Sequence, residues 1–297
     1  MCGLAGIILK EKDRDNEALN RVSKSFVKML YEADIRGGHA TGFALIDKFG
    51  DYTICKKAKD AYKFFEDSDA QDNIDLIYNG VTTLMGHTRY ATLGSPTINK
   101  NNHPIRTGQT IGTHNGSIHN HKELFNKYAM ERYAQVDSEA IFRLYETSGS
   151  MSEFVNNRLP KVSGRVAIVW ADLEKPEYVY MVKANNPIQM YYIPEIDGYA
   201  YGSTDAIVKS GFKVDYKNAI TIKPNTMVRI NTKTLKIDTK EITIKKPKPK
   251  KFAFYNKKIG AYESKSETVE RFVPRFSYSD QLKMFKANDG STIRKVK

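Results

Sequence analysis

The chain has 297 residues, of which 40% are hydrophobic and 27% charged, and its formal net charge is +13. That length and balance suit a folded protein with a sizeable core and exclude a wholly disordered chain. No apolar run approaches the about 18 residues that would span a bilayer, and the apolar start Cys2 to Leu9 runs straight into Lys10, Glu11, Lys12 and Asp13, so neither a transmembrane helix nor a secretory signal is expected.

In chain order, residues 3–9 read as a first short apolar strand. From Asn16 to Ala33 the residues Leu19, Val22, Phe26, Met29, Leu30 and Ala33 recur at steps of three and four, which predicts an amphipathic helix packed on a sheet. Strands are predicted at 42–47, 52–56, 82–88 and 109–114, followed by a helix over 122–130. A second helix over 138–147 is predicted behind an N-cap at Asp137 or Ser138. Two further strands, at 166–172 and 178–183, precede a helix over 205–210 that stops before Gly211, then a strand at 227–230 and a hairpin-like stretch at 232–242.

Strands outnumber helices and no regular βαβ alternation appears. The fold class is therefore α+β, with sheets covered by helices rather than a doubly wound parallel sheet. At Ile244 the composition shifts, and Lys245 to Lys251 reads KKPKPKK, an extended linker or arm in which prolines remove donors and like charges repel. Residues 241–297 hold 15 Lys/Arg against 6 Asp/Glu, so the basicity is mainly a C-terminal property. The expected organisation is a domain over 2–244 and a basic, aromatic-containing tail over 245–297.

Only Cys2 and Cys55 are present, which fits a reducing compartment better than a disulfide framework and predicts a cytoplasmic protein. Cys2 follows the initiator methionine. Removal of Met1 would place a thiol and an α-amine on one residue, and an α-amine of reference pKa about 7.7–8.0 can take the thiol's proton. By itself, Cys2 reads better as a small buried residue at the start of a strand.

Further segments accompany it: RGGHATGFA from Arg36, GHTRYATLG from Gly86, NNHP from Asn101, HNGSIHN from His114 and VDSEAIF from Val136. Together with MCGLAGI at the start, this ordered series resembles the glutamine amidotransferase domain of the class II, N-terminal-nucleophile type. GHTRYATLG is similar to the arginine loop of the glucosamine-6-phosphate synthase and phosphoribosyl amidotransferase branch. The resemblance runs over about residues 2–240, and a later GSTDAIV from Gly202 is similar to another segment of the family. It implies a four-layer αββα sandwich and hydrolysis of the side-chain amide of L-glutamine, without a cofactor.

Such chemistry needs a nucleophile, an oxyanion site and groups that hold an amino acid. The resemblance makes Cys2 the nucleophile, with Asn115 and Gly116, in an HNG turn directly after a strand, as the oxyanion hole. Arg89 can offer two parallel donors to the α-carboxylate, and Asp137 can pair with the α-ammonium. Thr92, His103 and His114 complete the implied substrate-binding set. Tyr90 stands where those synthases carry Trp, and Leu93 where they carry His.

A metal site at His114, His119 and His121 is not favoured, because no partner at metal-ligand spacing accompanies them. The glycines of Arg36 to Gly42 lack the Lys-Ser/Thr of a phosphate loop and suit close backbone approach near the glutamine site. The residues after Ile244 are too few for the acceptor domains of the related synthases, so a separate ammonia-accepting synthase subunit is the expected partner. Two alternatives stay open: an amidotransferase-like binding or regulatory protein, and a nucleic-acid-associated protein. The second would act through the tail, where aromatics from Phe252 to Phe285 interleave with Lys and Arg.

Overall fold

The structure is a computed structural model that describes residues 1–75, 77–245 and two strands at Phe252–Asn256 and Ala261–Lys265. Contacts divide the chain into Met1–Lys245 and Lys246–Lys297. In the second unit the two strands pair antiparallel. The expectations for the Lys/Pro linker at 246–251 and for the aromatic and basic side chains of the tail lie outside the described residues.

In the first unit the strands are β1 (Gly3–Leu9), β2 (Ala40–Asp47), β3 (Tyr52–Lys57), β4 (Val81–Arg89), β5 (Ile105–Thr107), β6 (Thr110–Ile118) and β7 (Gly164–Asp172). They continue with β8 (Tyr178–Lys183), β9 (Gln189–Ile193), β10 (Gly198–Gly202), β11 (Ala219–Ile220), β12 (Thr226–Asn231) and β13 (Ile237–Glu241). One sheet runs β11-β9-β10-β1-β4-β2-β3, the other β13-β12-β8-β7-β6-β5. Neighbouring strands in both are antiparallel.

Side chains alternate between the two faces of each strand, and in the central strands both faces are buried, whereas β3 and β13 at the sheet edges are partly exposed. In β1, Ala5, Ile7 and Leu9 pack under helices while Leu4 and Ile8 face the other sheet. In β7, Val166, Ile168 and Trp170 lie under helices while Ala167, Val169 and Ala171 point between the sheets. The strands therefore read as continuous apolar runs. Truncating one such buried side chain costs about 2–5 kcal/mol.

The helical layer on the first sheet is α1 (Asn16–Asp34), α2 (Ala61–Phe65), α3 (Ser68–Asp75) and, from the far end of the domain, Asp205–Gly211. The layer on the second sheet holds α4 (His121–Lys127), α5 (Glu139–Glu146) and the turn from Met151 through Arg158. This is the expected four-layer αββα sandwich. Helix α1 begins where Asp15 caps it, accepting the Ala18 N–H at 2.7 Å, and buries the predicted Leu19, Val22, Phe26, Met29, Leu30 and Ala33.

Some local expectations change. Ser138 is the N-cap residue of α5, one of the two expected positions, but neither side chain makes a capping bond: the Asp137 carboxylate accepts the Ile118 N–H, and the Ser138 hydroxyl bonds His114 Nδ1 at 2.8 Å. The stretch 232–242 is not a hairpin in itself; it holds the turn and second strand of a hairpin that β12 begins. The HNG segment is not a turn either, since Asn115 and Gly116 lie within β6 opposite Ala167 and Val166.

Candidate active site

The site forms where the start of β1 meets the ends of β4 and β6. Pairing of Gly3 with Thr88 brings Cys2 beside the residues that follow Arg89. The Tyr90 N–H donates to Cys2 Sγ at 3.3 Å, and the thiol faces the Tyr90 carbonyl oxygen at 3.6 Å. Burial pushes the Cys2 thiol up, and the Tyr90 N–H, the chain-terminal ammonium, Arg89 and Arg36 pull it down.

The cavity beside Cys2 has a volume of about 120 Å³ and is lined by Cys2, Tyr90, Thr92, Asn115 and Gly116, together with Met1, Arg36, Ser117, Arg165, Asn186 and Pro187. Pockets for drug-sized ligands run to about 300–1,000 Å³, so this one suits a small molecule. Met1 sits in its wall, and trimming it would both widen the cavity and free the amine of Cys2.

Asn115 Nδ2 donates to the Cys2 carbonyl at 2.9 Å and to Ser203 Oγ at 2.7 Å. Ser203 in turn accepts the Leu4 N–H at 2.8 Å. The amide is thus aimed at the backbone of Cys2. Gly116 has φ +146°, and a Cβ there would lie 1.8 Å from the Arg165 carbonyl oxygen. Only glycine fits, and the reason is the close approach of β7 rather than an Asn-Gly hairpin turn.

Arg89, His103, His114 and Asp137 stand behind the cavity wall rather than in it. The Arg89 guanidinium donates to Asn102 Oδ1 at 2.9 Å and to the carbonyls of Leu93 and Gly94 at 2.6 and 2.8 Å. It therefore fastens the loop that carries Thr92. Asn101 continues the fastening through Ser95 and Gln135. Burial pushes the Arg89 guanidinium down, while Cys2 and Asp137 favour its charge.

His87, His103 and His114 form a buried group. The rings of His87 and His103 lie 4.2 Å apart, and His87 Nε2 faces the His114 carbonyl at 3.2 Å. Burial pushes His87 down to about 3 and His103 well below the usual histidine range, and it also lowers His114, which Asp137 partly offsets. These rings are neutral at neutral pH; His87 and His114 hydrogen-bond through a ring nitrogen, whereas His103 packs with both ring nitrogens buried and unpartnered among the described residues. His121 opens α4, and among the described residues no group of three or more His, Cys, Asp or Glu is placed to hold a metal ion.

Sequence reasoning did not assign Arg36, Asn186 or Ser203. Arg36 Nε donates to the Cys2 carbonyl at 3.0 Å, and Asn186 Nδ2 to the Asn115 carbonyl at 2.9 Å. Ser203 lies in GSTDAIV and Arg36 opens RGGHATGFA, so both segments carried a signal without a role. The first glycine of the latter, Gly37, lies against Thr88, where a Cβ would meet backbone at 2.5 Å. This is the close approach expected of that segment.

A family profile described as a glutamine amidotransferase domain matches residues 87–209. The chain is 30% identical over 195 residues to the glutamine–fructose-6-phosphate aminotransferase (isomerizing) of Aliivibrio fischeri, covering 63% of this chain and 29% of that protein. It is 22% identical over 260 residues to the 7-cyano-7-deazaguanine synthase of Sulfolobus acidocaldarius, covering 84% of this chain and 52% of that one. The chain thus spans about half or less of the length of these curated relatives. Among solved structures, the glutamine phosphoribosylpyrophosphate amidotransferase of B. subtilis superposes with a TM-score of 0.62 at 18% identity, covering 82% of this chain and 49% of that chain. A glutamine aminotransferase class-II domain protein from Silicibacter pomeroyi gives 0.52 at 15% identity, covering 81% of this chain and 98% of that chain. At these identities the structural likeness speaks for the fold, and it agrees with the sandwich described above.

Proposed function

We propose that this chain, which carries a glutamine amidotransferase domain of the class II, N-terminal-nucleophile type, hydrolyses the side-chain amide of L-glutamine and delivers ammonia to a synthase site outside residues 1–245. The observation that carries the reading is the thiol of the second residue, set in the wall of a small cavity together with Asn115 and Gly116 and with a backbone N–H on its sulfur. Once Met1 is removed, the Cys2 α-amine takes the thiol proton. The sulfur attacks the amide carbon, and the carbonyl oxygen becomes an oxyanion facing Asn115 and Gly116.

Collapse of that intermediate breaks the C–N bond. The α-ammonium returns its proton to the departing nitrogen, ammonia leaves, and a γ-glutamyl thioester remains on Cys2. Water then attacks the thioester with the same amine as base, and glutamate departs with the thiol restored. Arg89 and Asp137 serve the substrate's α-carboxylate and α-ammonium from behind the cavity wall, Arg89 through the loop it fastens and Asp137 through the end of β6 that it holds. Thr92 lines that side of the site, and His103 and His114 support it from behind the wall. No cofactor enters this sequence.

Partner and location follow from the same reading. The acceptor is a separate synthase. Among the described residues no helix is long and apolar enough to cross a membrane. Two free cysteines suit a reducing cytoplasm. A glutaminase assay on the wild type and on Cys2→Ala tests the proposal: ammonia release that depends on Cys2 is the expected result, and equal release by both proteins would refute it.

A further inference from the structure

The two peptide groups that flank Tyr90 both face Cys2 on one side and His39 on the other. Past Arg89 the β4 backbone leaves the regular ladder it shares with β2, whose last pairing there is Ala40 with Arg89. Just outside that pair, the His39 N–H donates to the Arg89 carbonyl at 3.0 Å. The same peptide's N–H, that of Tyr90, points the opposite way and reaches Cys2 Sγ at 3.3 Å. In the next peptide the Ala91 N–H donates to His39 Nδ1 at 3.0 Å, and the Tyr90 carbonyl again points the opposite way, to Cys2 Sγ at 3.6 Å. Opposed C=O and N–H directions are the geometry of a trans peptide. Fixing one end aims the other.

The imidazole also stacks on the Tyr90 ring, with centroids 4.7 Å apart and planes 25° from parallel. As an acceptor, Nδ1 is unprotonated, and the ring proton of neutral His39 is on Nε2. The ring thus takes the place of the ladder partner that Ala91 has lost.

We propose that His39 is a positioning residue, whose ring, by accepting the Ala91 N–H, holds the Tyr90 backbone against the Cys2 sulfur. The inference rests on Cys2 being the nucleophile but not on which amide it attacks. A backbone N–H on a thiolate is a charge-assisted bond, and it outweighs the weak contact of a thiol with a carbonyl. Releasing the segment therefore costs the thiolate more than the thiol.

The test compares His39→Phe, which keeps an aromatic ring on Tyr90 but offers no acceptor, with His39→Asn, whose Oδ1 has about the reach of Nδ1. His39 is exposed, so neither change disturbs the core. Iodoacetamide alkylation of Cys2 is followed against pH by peptide mass, which separates Cys2 from Cys55 and requires no substrate. His39→Phe should raise the midpoint of Cys2 alkylation by about half a pH unit, about threefold slower labelling below the midpoint, while His39→Asn keeps the wild-type profile. An unchanged midpoint in His39→Phe, or an equal rise in both variants, would overturn the proposal. Lack of glutaminase activity in the wild type would sink the proposed function and leave this comparison intact.

Discussion

The side-chain amide of Asn115 donates to the carbonyl oxygen of Cys2 at 2.9 Å, which ties the proposed oxyanion donor to the backbone of the proposed nucleophile. Ser203 closes the arrangement by bonding both Asn115 and the Leu4 N–H. In the free protein Nδ2 is engaged by two acceptors. An oxyanion forming at the thioester-bound carbon competes for the same donor only as its charge develops, which is where a donor lowers a barrier.

Asn115→Ala should therefore lower kcat about 100- to 1,000-fold with little change in KM. Steady-state glutaminase kinetics measure this directly. A raised KM with kcat intact would make Asn115 a ground-state binding group instead.

Arg89→Lys should act on KM. The guanidinium holds Asn102 and the carbonyls of Leu93 and Gly94 at once, and a lysine cannot make that planar set of bonds. The loop with Thr92 then loses its fastening, and KM should rise about tenfold or more. A KM equal to that of the wild type would show that the fork is not needed for that task.

Gly116→Ala should lower stability by at least about 2 kcal/mol, because φ +146° is strained for any side chain and the added carbon overlaps the Arg165 carbonyl. Urea denaturation of the two proteins checks it. Equal midpoints would mean that β6 and β7 separate freely at this point.

Much of this was legible in the sequence, and the parts that were not have physical causes. Strands buried on both faces announced themselves as apolar runs, and α1 by its spacing. Strands β9 and β10 did not, because QMYYI and GYAYG carry tyrosines and glycines around a tight Pro194–Ile196 turn. Helices α2 and α3 are short, AYKFF being mostly aromatic and SDAQDNID mostly polar, so no period is sustained. The Asn115–Gly116 pair has the composition of a hairpin turn, yet its glycine answers to β7, a strand nearly 50 residues away. Asp137 and Ser138 have the composition of caps, yet their side chains serve Ile118 and His114. In each case a distant partner decided the outcome.

Acid should destabilise the fold earlier than carboxylate titration alone would. His87 is held at about 3 against 6.5 when free, and His103 and His114 are also lowered, by burial that penalises the charged ring. Between those values the unfolded chain binds protons that the folded chain does not, so stability is full above about pH 6.5 and falls as pH drops toward 3. Each such histidine contributes a slope of about 1.4 kcal/mol per pH unit. Denaturation at pH 7, 6 and 5 should show the fall, and His87→Gln should make it shallower by one proton. A flat profile over that range would contradict the buried neutral rings.

The most direct measurement for the central claim is to expose the protein, made in cells, to a glutamine-mimicking electrophile and to locate the adduct by peptide mass. One adduct is predicted, on Cys2, in a peptide that begins at Cys2 with Met1 removed and its α-amine free; Cys55, buried under α2 and α3, should stay unlabelled. An adduct on Cys55 alone, or on Cys2 with Met1 still attached and glutaminase activity undiminished, would contradict the N-terminal thiol mechanism.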